Sequence, residues 1–288
     1  TIGFGGVEQR VNERNLEDTK QYDLVTNVSV GKLLPKKWGI QLPLNYSISE
    51  ETHDPKYDAQ YQDILYENTT IDNSPNKNES QDYTKRKSIS LINVRKDRTN
   101  TQKKARFYDV ENLSVSYAYN ETEHRDYNVQ KHLDQNVRAS ANYNYSFQPK
   151  SIEPFKNWGF LTKKKYLKFI KDFNINLLPS TISVNSNIIR SYNEQKSRSL
   201  VDGLPPLPTL KQRHFMFDWD YTVGYNITKS LQFNFRAANN YLYDDFDAAD
   251  DIQIFDNFFS LGRPDHYHQT LSGTYKIPIN KLPLLDFV

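Results

Sequence analysis

From Phe215 to Ile227 every odd position is apolar or aromatic: Phe215, Phe217, Trp219, Tyr221, Val223, Tyr225 and Ile227. The positions between them include Asp218, Asp220, Thr222 and Asn226, which prefer water. A period of two puts one set on each face of a pleated strand. Seven further runs carry the same signal. They are Tyr22–Val30, Ile40–Ile48, Leu113–Tyr119, Val137–Phe147, Ile182–Tyr192, Leu231–Tyr241 and Tyr267–Ile279. Strands of soluble proteins have about 5–6 residues, whereas a tilted strand crossing a bilayer needs about 9–11. The run from Phe215 covers thirteen. Long stretches that are greasy on one face and wet on the other predict an all-β, antiparallel transmembrane barrel.

About eleven strands follow, at 1–12, 20–33, 39–51, 85–95, 112–126, 128–147, 180–193, 213–227, 230–244, 264–279 and 284–288. In such barrels short turns gather on the periplasmic side and long loops outside. The tight turns Pro35–Trp38, Thr228–Lys229 and Asn280–Pro283 are the second, eighth and tenth connections, all even. The long acidic segments 52–84 and 245–263 are the third and ninth. The reading is therefore of residues 1–288 as part of one barrel, cut at both ends. Residues 52–84 form an extracellular loop and 148–179 a periplasmic connection. Within that connection, 162–172 (TKKKYLKFIKD) reads as a short amphipathic helix, with Leu167 and Ile170 on one face and five lysines in water. An odd strand number cannot close antiparallel on itself, so the segment is expected not to fold alone.

Phe215, Phe217, Trp219, Tyr221, Val223 and Tyr225 are expected to face lipid, and Asp218, Asp220, Asn226 and Asn234 the lumen. Composition supports this against disorder. Mean hydropathy is −0.79, yet 20 Tyr, 16 Phe and 3 Trp make up 14% of the chain, and disordered segments are poor in aromatics. No stretch approaches the ~18 continuous apolar residues of a membrane helix. With 37 basic against 35 acidic residues, no overall basic field favours nucleic acid. The absence of cysteine removes thiolate zinc sites, thiol nucleophiles and disulfides.

Candidate chemistry is sparse. His266 and His268 share a strand face as metal ligands would, but a third ligand is not evident and a polar strand face explains them better. Asp244, Asp245, Asp247, Asp250 and Asp251 lack the spacing and closing Glu of a calcium loop and read as a solvated acidic loop. The Asn-X-Ser/Thr sequons, Asn27, Asn45 and Asn144 among them, arise from alternation on a polar face. Without a nucleotide-binding, hydrolase or zincin motif, the chain is expected to be neither an enzyme nor a cofactor binder.

One stretch is distinctive. GLPPLPTLKQRHFMFDWDYTVGYNITKSLQFNFRAANN (203–240) resembles the SprA/Sov family, in which a leucine–proline-rich loop leads into an Arg-aromatic strand and a hairpin of the LTKSL kind. Leu207, Pro208, Arg213, Phe215, Trp219, Thr228, Lys229, Ser230, Leu231, Phe233, Ala237 and Asn239 stand in those places. RSYNEQKSRSL (190–200), YKIPINKLPLLDF (275–287) and IKDFNINLLPSTISV (170–184) match as well. Departures are Ile227, where leucine is usual, and the acidic Tyr241–Asp245. The resemblance is densest from about residue 150 to the end. It implies a protein-conducting outer-membrane channel of the type 9 secretion system of Bacteroidetes-type bacteria, on which gliding motility depends. The implied partners are a PorV-like outer-membrane shuttle barrel, a periplasmic plug, the carboxy-terminal signal domains of cargo, and membrane lipid. Two alternatives stand beside it: another large outer-membrane barrel, such as a nutrient receptor or lipopolysaccharide-insertion barrel, and a soluble all-β surface or adhesin module.

Overall fold

The structure, a computed structural model, describes residues 2–3, 17–59, 63–66, 77–100, 102, 104–157, 173–200, 205–247 and 250–277. The long strands are β2 (Glu17–Ser29), β4 (Pro43–Pro55), β5 (Asp82–Lys96), β6 (Leu113–Arg125) and β7 (Val129–Ser146), then β10 (Thr181–Ser197), β11 (Leu210–Asn226), β12 (Leu231–Tyr243) and β13 (Arg263–Tyr275). Each has 13–18 residues. Short strands β1 (Ile2–Gly3), β3 (Ile40–Gln41), β8 (Ser151–Ile152) and β9 (Ile175–Asn176) complete the described set. The one α-helical turn among the described residues is Lys77–Ser80. The expected helix at 162–172, the turn Asn280–Pro283 and the strand at 284–288 lie outside the described residues.

Every pairing is antiparallel, and the main sheet runs β1-β2-β4-β5-β6-β7-β10-β11-β12-β13, with β3 added beside β5. The chain thus meanders up and down, each long strand lying beside the next. Directly opposed residues share a face, so the pairings trace rows across the sheet. One row is Tyr46, Ile89, Tyr119, Val137, Arg190, Phe215 and Tyr243. The next row on that face is Leu44, Leu91, Tyr117, Ala139, Ile188, Phe217 and Tyr241.

The sheet is open. Its order begins at β1 and ends at β13, and these two do not pair. The expectation of barrel architecture is therefore met in the antiparallel meander and not in closure, because nothing in the described residues joins the two edges. The accessible surface is 20471 Å². A compact monomer of this mass would expose about 13,000 Å². The excess follows from a single layer: both faces of most strands stay partly exposed, and all thirteen residues of the edge strand β13 are exposed. No second sheet covers the apolar rows among the described residues.

Local deviations have local causes. The expected strand 20–33 ends at Ser29, and Val30–Leu33 forms a 3₁₀ turn. Lys36–Trp38 forms another, closed by Gly39 at φ 63°, where a side chain would meet the Asp97 carbonyl at 2.4 Å. In β5, Asn93 at φ 58° makes a bulge and its N–H donates to Ser116 Oγ at 2.9 Å. That extra residue keeps Val94 on the same face as Leu91. Strands β4, β5, β10 and β11 run about 2–4 residues beyond their expected ends, because charged residues there continue the ladder without contributing to hydrophobic alternation.

Connections fall alternately at two ends of the sheet. One end carries 30–42, 97–112, 147–180 and 227–230; the other carries 56–81, 126–128, 198–209 and 244–262. The parity argument therefore needs correcting, since the tight turn Asp126–Asn128 sits at the long-loop end. Its compactness comes from Asp126 Oδ1, which accepts the Asn128 and Val129 N–H groups at 2.7 and 2.6 Å.

Candidate functional site

The two faces of the sheet differ in chemistry, and that difference is the candidate site. On the first face β11 carries Phe215, Phe217, Trp219, Tyr221, Val223 and Tyr225, the six residues expected to lie together. Opposite them on β12 stand Tyr243, Tyr241, Asn239, Ala237, Phe235 and Phe233. Rings bridge the pair, as in Phe217–Tyr241 at 5.8 Å and Tyr221–Phe235 at 5.7 Å. Aliphatic and small residues, such as Ala139, Ala141, Val184 and Ile188, fill the same face on β7 and β10. From Phe215 to Tyr225 there are ten residue steps, about 33 Å along the strand. At the tilt of about 40° usual in membrane barrels, the apolar band stands about 25 Å tall.

The band has an edge. Beyond Ile48, Ile89 and Tyr119 the same face turns to ion pairs: Lys85–Glu50 at 2.5 Å, Lys87–Glu121 at 2.8 Å and Lys131–Glu194 at 3.1 Å. Lys20–Asp54 at 2.9 Å continues this belt onto β2. Apolar rows thus give way to paired charges across neighbouring strands at nearly one level.

The second face is a field of amides and hydroxyls. Asp218, Asp220, Asn226 and Asn234 share it, as expected. The row through Asp220 reads Ser114, Asn142, Asn185, Asp220, Ala238 and His268. Short side chains bond to one another across strands: Asn185 Nδ2 to Asp220 Oδ2 at 3.1 Å, Ser88 Oγ to Asn120 Oδ1 at 2.7 Å and Ser191 Oγ to Asn136 Oδ1 at 2.6 Å. Asp218 Oδ1 is buried and has no hydrogen-bond partner among the described residues.

A feature that the alternation did not announce is a strap over the apolar face. The loop 244–262 leaves β12 and folds down across β11 and β10 as far as β6, where Phe255 meets Tyr119 with ring centroids 5.6 Å apart. Two arginines hold it. Arg190 donates from Nη1 to the carbonyls of Ile254 and Asp256 at 3.0 and 2.6 Å, and from Nη2 to that of Asn257 at 2.6 Å. Arg213 donates from Nε to the Ile252 carbonyl at 3.0 Å and from Nη2 to that of Asp250. Arg190 is only 2% exposed and its guanidinium lies 4.5 Å from the Phe215 ring centroid and 5.1 Å from that of Phe258. Ile254 of the strap packs with Val137, Tyr192 and Phe215 of the sheet in one buried cluster. Phe215, expected on the open apolar face, is therefore on that face but covered. The sequence held a signal: Arg190 occupies an apolar register position, between Ile188 and Tyr192.

Around the strap the acidic residues are partnered. Asp251 accepts from Lys211 at 2.5 Å and Asp244 from Arg263 at 2.8 Å, and these bonds hold both carboxyls below the usual carboxylate range. At the Asp126–Asn128 turn, burial pushes the Asp126 carboxyl up. The Val129 and Asn128 N–H groups and His124 outweigh that and bring it below its ordinary value.

His266 and His268 do share the polar face, yet His268 Nε2 bonds Thr270 Oγ1 at 2.9 Å, and no cluster suited to a metal ion occurs among the described residues.

Comparison with known proteins finds a family match at the start of the chain. Residues 1–70 match the SprA_N model, described as a motility related/secretion protein. This match lies at the opposite end of the chain from the densest sequence resemblance, and the two agree on the family. No curated protein matches the chain.

Proposed function

Starting from the chain's membership of the SprA/Sov family of motility and secretion proteins, we propose that it is a stretch of the wall of a protein-conducting outer-membrane channel. The observation that carries this reading is the pair of unlike faces on one sheet, whose apolar rows are crossed by a strap and not by a second sheet among the described residues. An apolar band about 25 Å tall matches the lipid-facing height of outer-membrane barrels. The opposite face, rich in Asn, Ser and Thr, suits a water-filled lumen. Hydrocarbon does not tolerate unpaired strand edges, so further strands must complete the ring. The end bearing 30–42 and 227–230 is then periplasmic, and the end bearing the acidic loops lies outside.

Such a wall conducts passively. Amide and hydroxyl side chains already bonded to their neighbours offer a moving protein few strong partners and no broad apolar surface to adhere to. Water stays at the wall, and a folded cargo slides past on it. Energy for directed export comes from elsewhere in the system. On this reading the PorV-like shuttle, the plug and the cargo signal domains are partners of the assembled channel. Membrane lipid is the partner of the apolar face.

This stretch lacks cysteine, so once any cysteine elsewhere in the parent is replaced, single cysteines introduced on either face report cleanly. In the full-length protein in intact outer membranes, cysteines replacing Thr222 or Asn185 are expected to react with a membrane-impermeant maleimide, and to be protected when a cargo is jammed in transit. Cysteines replacing Val223 or Val184 are expected to react only with a lipophilic reagent. Equal reactivity of the two faces would refute the assignment.

A further inference from the structure

We infer that the connection between β5 and β6 forms a binding site for the headgroup of an anionic phospholipid at the periplasmic rim. The inference rests on the membrane reading above and goes beyond it by naming a lipid site. The connection 97–112 folds onto the apolar face. Tyr145 Oη donates to the Ala105 carbonyl at 2.9 Å, and Tyr143 Oη donates to the Phe107 carbonyl. Both tyrosines stand at the periplasmic end of the apolar band on β7. Phe107, Tyr108 and Val110 project from this loop 60–64% exposed, so they extend the band outward by a ring of unburied apolar groups. Aromatic side chains so placed mark the level where acyl chains meet headgroups.

Charge lies beside them. Lys96, Arg98, Lys104 and Arg106 line an open cavity of about 690 Å³ with Thr99, Asn100, Asp109 and Glu111. Four cations face two carboxylates, and both carboxylates are engaged in shaping the loop. Asp109 accepts from Arg98 Nη2 at 2.6 Å and from the Arg106 N–H at 2.8 Å. Glu111 pairs with Arg98 at 3.2 Å and with Lys96 at 3.4 Å. The positive balance therefore rests on Lys104 and Arg106, both exposed at the cavity mouth next to Phe107 and Tyr108. An Arg guanidinium and a Lys ammonium suit a phosphate diester, and the adjoining rings suit its acyl chains. The combination of anion-binding cavity and apolar continuation fits a phospholipid. Free phosphate would leave the aromatic half of the site without a role.

The test uses the full-length parent protein extracted from outer membranes in mild detergent. Native mass spectrometry counts retained phosphatidylglycerol against phosphatidylcholine after incubation with an equimolar mixture. The doubly reversed variant Lys104→Glu/Arg106→Glu is expected to lose the preference for phosphatidylglycerol about tenfold, since each basic residue contributes separately to attraction of an anionic headgroup. Lys156→Glu/Lys229→Glu, which reverses equal charge at the same end in the connections 147–180 and 227–230, outside the lining of the cavity, is expected to keep it. Unchanged preference in the first variant, or equal loss in both, overturns the site. Either outcome in a protein that still requires detergent leaves the membrane reading standing, whereas a parent recovered in the aqueous fraction without detergent defeats that reading itself.

Discussion

Replacing Arg190 should release the strap while leaving the sheet in place. Its guanidinium supplies three hydrogen bonds to the carbonyls of Ile254, Asp256 and Asn257 and lies against two rings. In Arg190→Met the stem still packs, but three carbonyls lose their donor, one of them in a buried contact. A hydrogen bond from a charged donor is worth about 1.5–3 kcal/mol, and bonds from one side chain do not add fully. Leaving a buried acceptor without its donor costs about 1–3 kcal/mol. Taking about 3–4 kcal/mol, the local opening equilibrium of the strap rises by about 150- to 700-fold, at ~1.4 kcal/mol per factor of ten.

Hydrogen exchange of the full-length protein in detergent measures this directly. Amides from Gln253 to Ser260 are the relevant probes, because Asp256 and Ser260 donate to Gln253 and Asn257 carbonyls at 3.1 and 2.8 Å inside the strap. They should exchange faster by about two to three orders of magnitude in Arg190→Met. Amides of β7 and β12, far along the same strands, should not change. Arg190→Lys should resemble the methionine variant, since one ammonium cannot present a planar fork to three carbonyls. If strap protection is unchanged in Arg190→Met, the loop is held by Ile254 and Phe258 packing alone, and the assignment of the arginine as its fastener is wrong.

The remaining expectations concern the band, a turn and a backbone strain. Val184→Arg, level with Tyr221 near mid-band, should destabilise the assembled barrel by about 2–4 kcal/mol, whereas Thr222→Arg on the opposite face should cost under about 1 kcal/mol; urea unfolding in detergent distinguishes them, and equal costs would contradict the two-face reading. Asp126 has a folded carboxyl held below its ordinary value, so the turn is stabilised above that ordinary value, near pH 4, and loses the contribution as pH falls through the folded one. Exchange protection at Val129 should therefore be flat from pH 7 to 5 after correction for intrinsic rate, and fall only in more acid solution; Asp126→Ala should remove that pH dependence. Gly262 has φ 76°, and a β-carbon there would stand 2.3 Å from the Leu242 carbonyl, so Gly262→Ala should loosen the return of the strap into β13 by more than about 1 kcal/mol, seen as faster exchange at Arg263 and beyond.

What could be read from the sequence was what repeats. The positions of nine long strands and the sorting of Phe215–Tyr225 from Asp218–Asn234 follow from a two-residue period, which is local and written in side-chain type. Strand ends were less legible because Glu194, Lys196 and Lys211 belong to ladders yet carry no hydrophobic signal. The strap was illegible for a different reason. Its fastening uses backbone carbonyls, which every sequence has, and the one side-chain clue, Arg190 in an apolar register position, gains meaning only when β10 and the loop 244–262 are brought together. The lipid-site loop is similar: Phe107 and Tyr108 form no period, and Tyr143 and Tyr145 reach the Phe107 and Ala105 carbonyls from a strand more than thirty residues away.

On the channel reading proposed above, dimensions set what the open sheet has to become. Nine long strands at ~4.8 Å spacing, tilted by about 40°, contribute about 56 Å of circumference. A folded domain of about 100 residues has a radius of gyration near 13 Å, hence a diameter of about 34 Å as a uniform sphere. Allowing about 5 Å of side chain on each wall, a ring that passes it needs a circumference of about 138 Å. This stretch would then be about two-fifths of the smallest ring able to export a folded domain, and on the channel reading its edges, at β1–β2 and at β13, are where further strands join. A full-length protein whose remaining strands brought the total to fewer than about twenty-two would close too narrowly for folded cargo. Conduction would then require unfolding, and the low-adhesion wall argued above would lose its purpose.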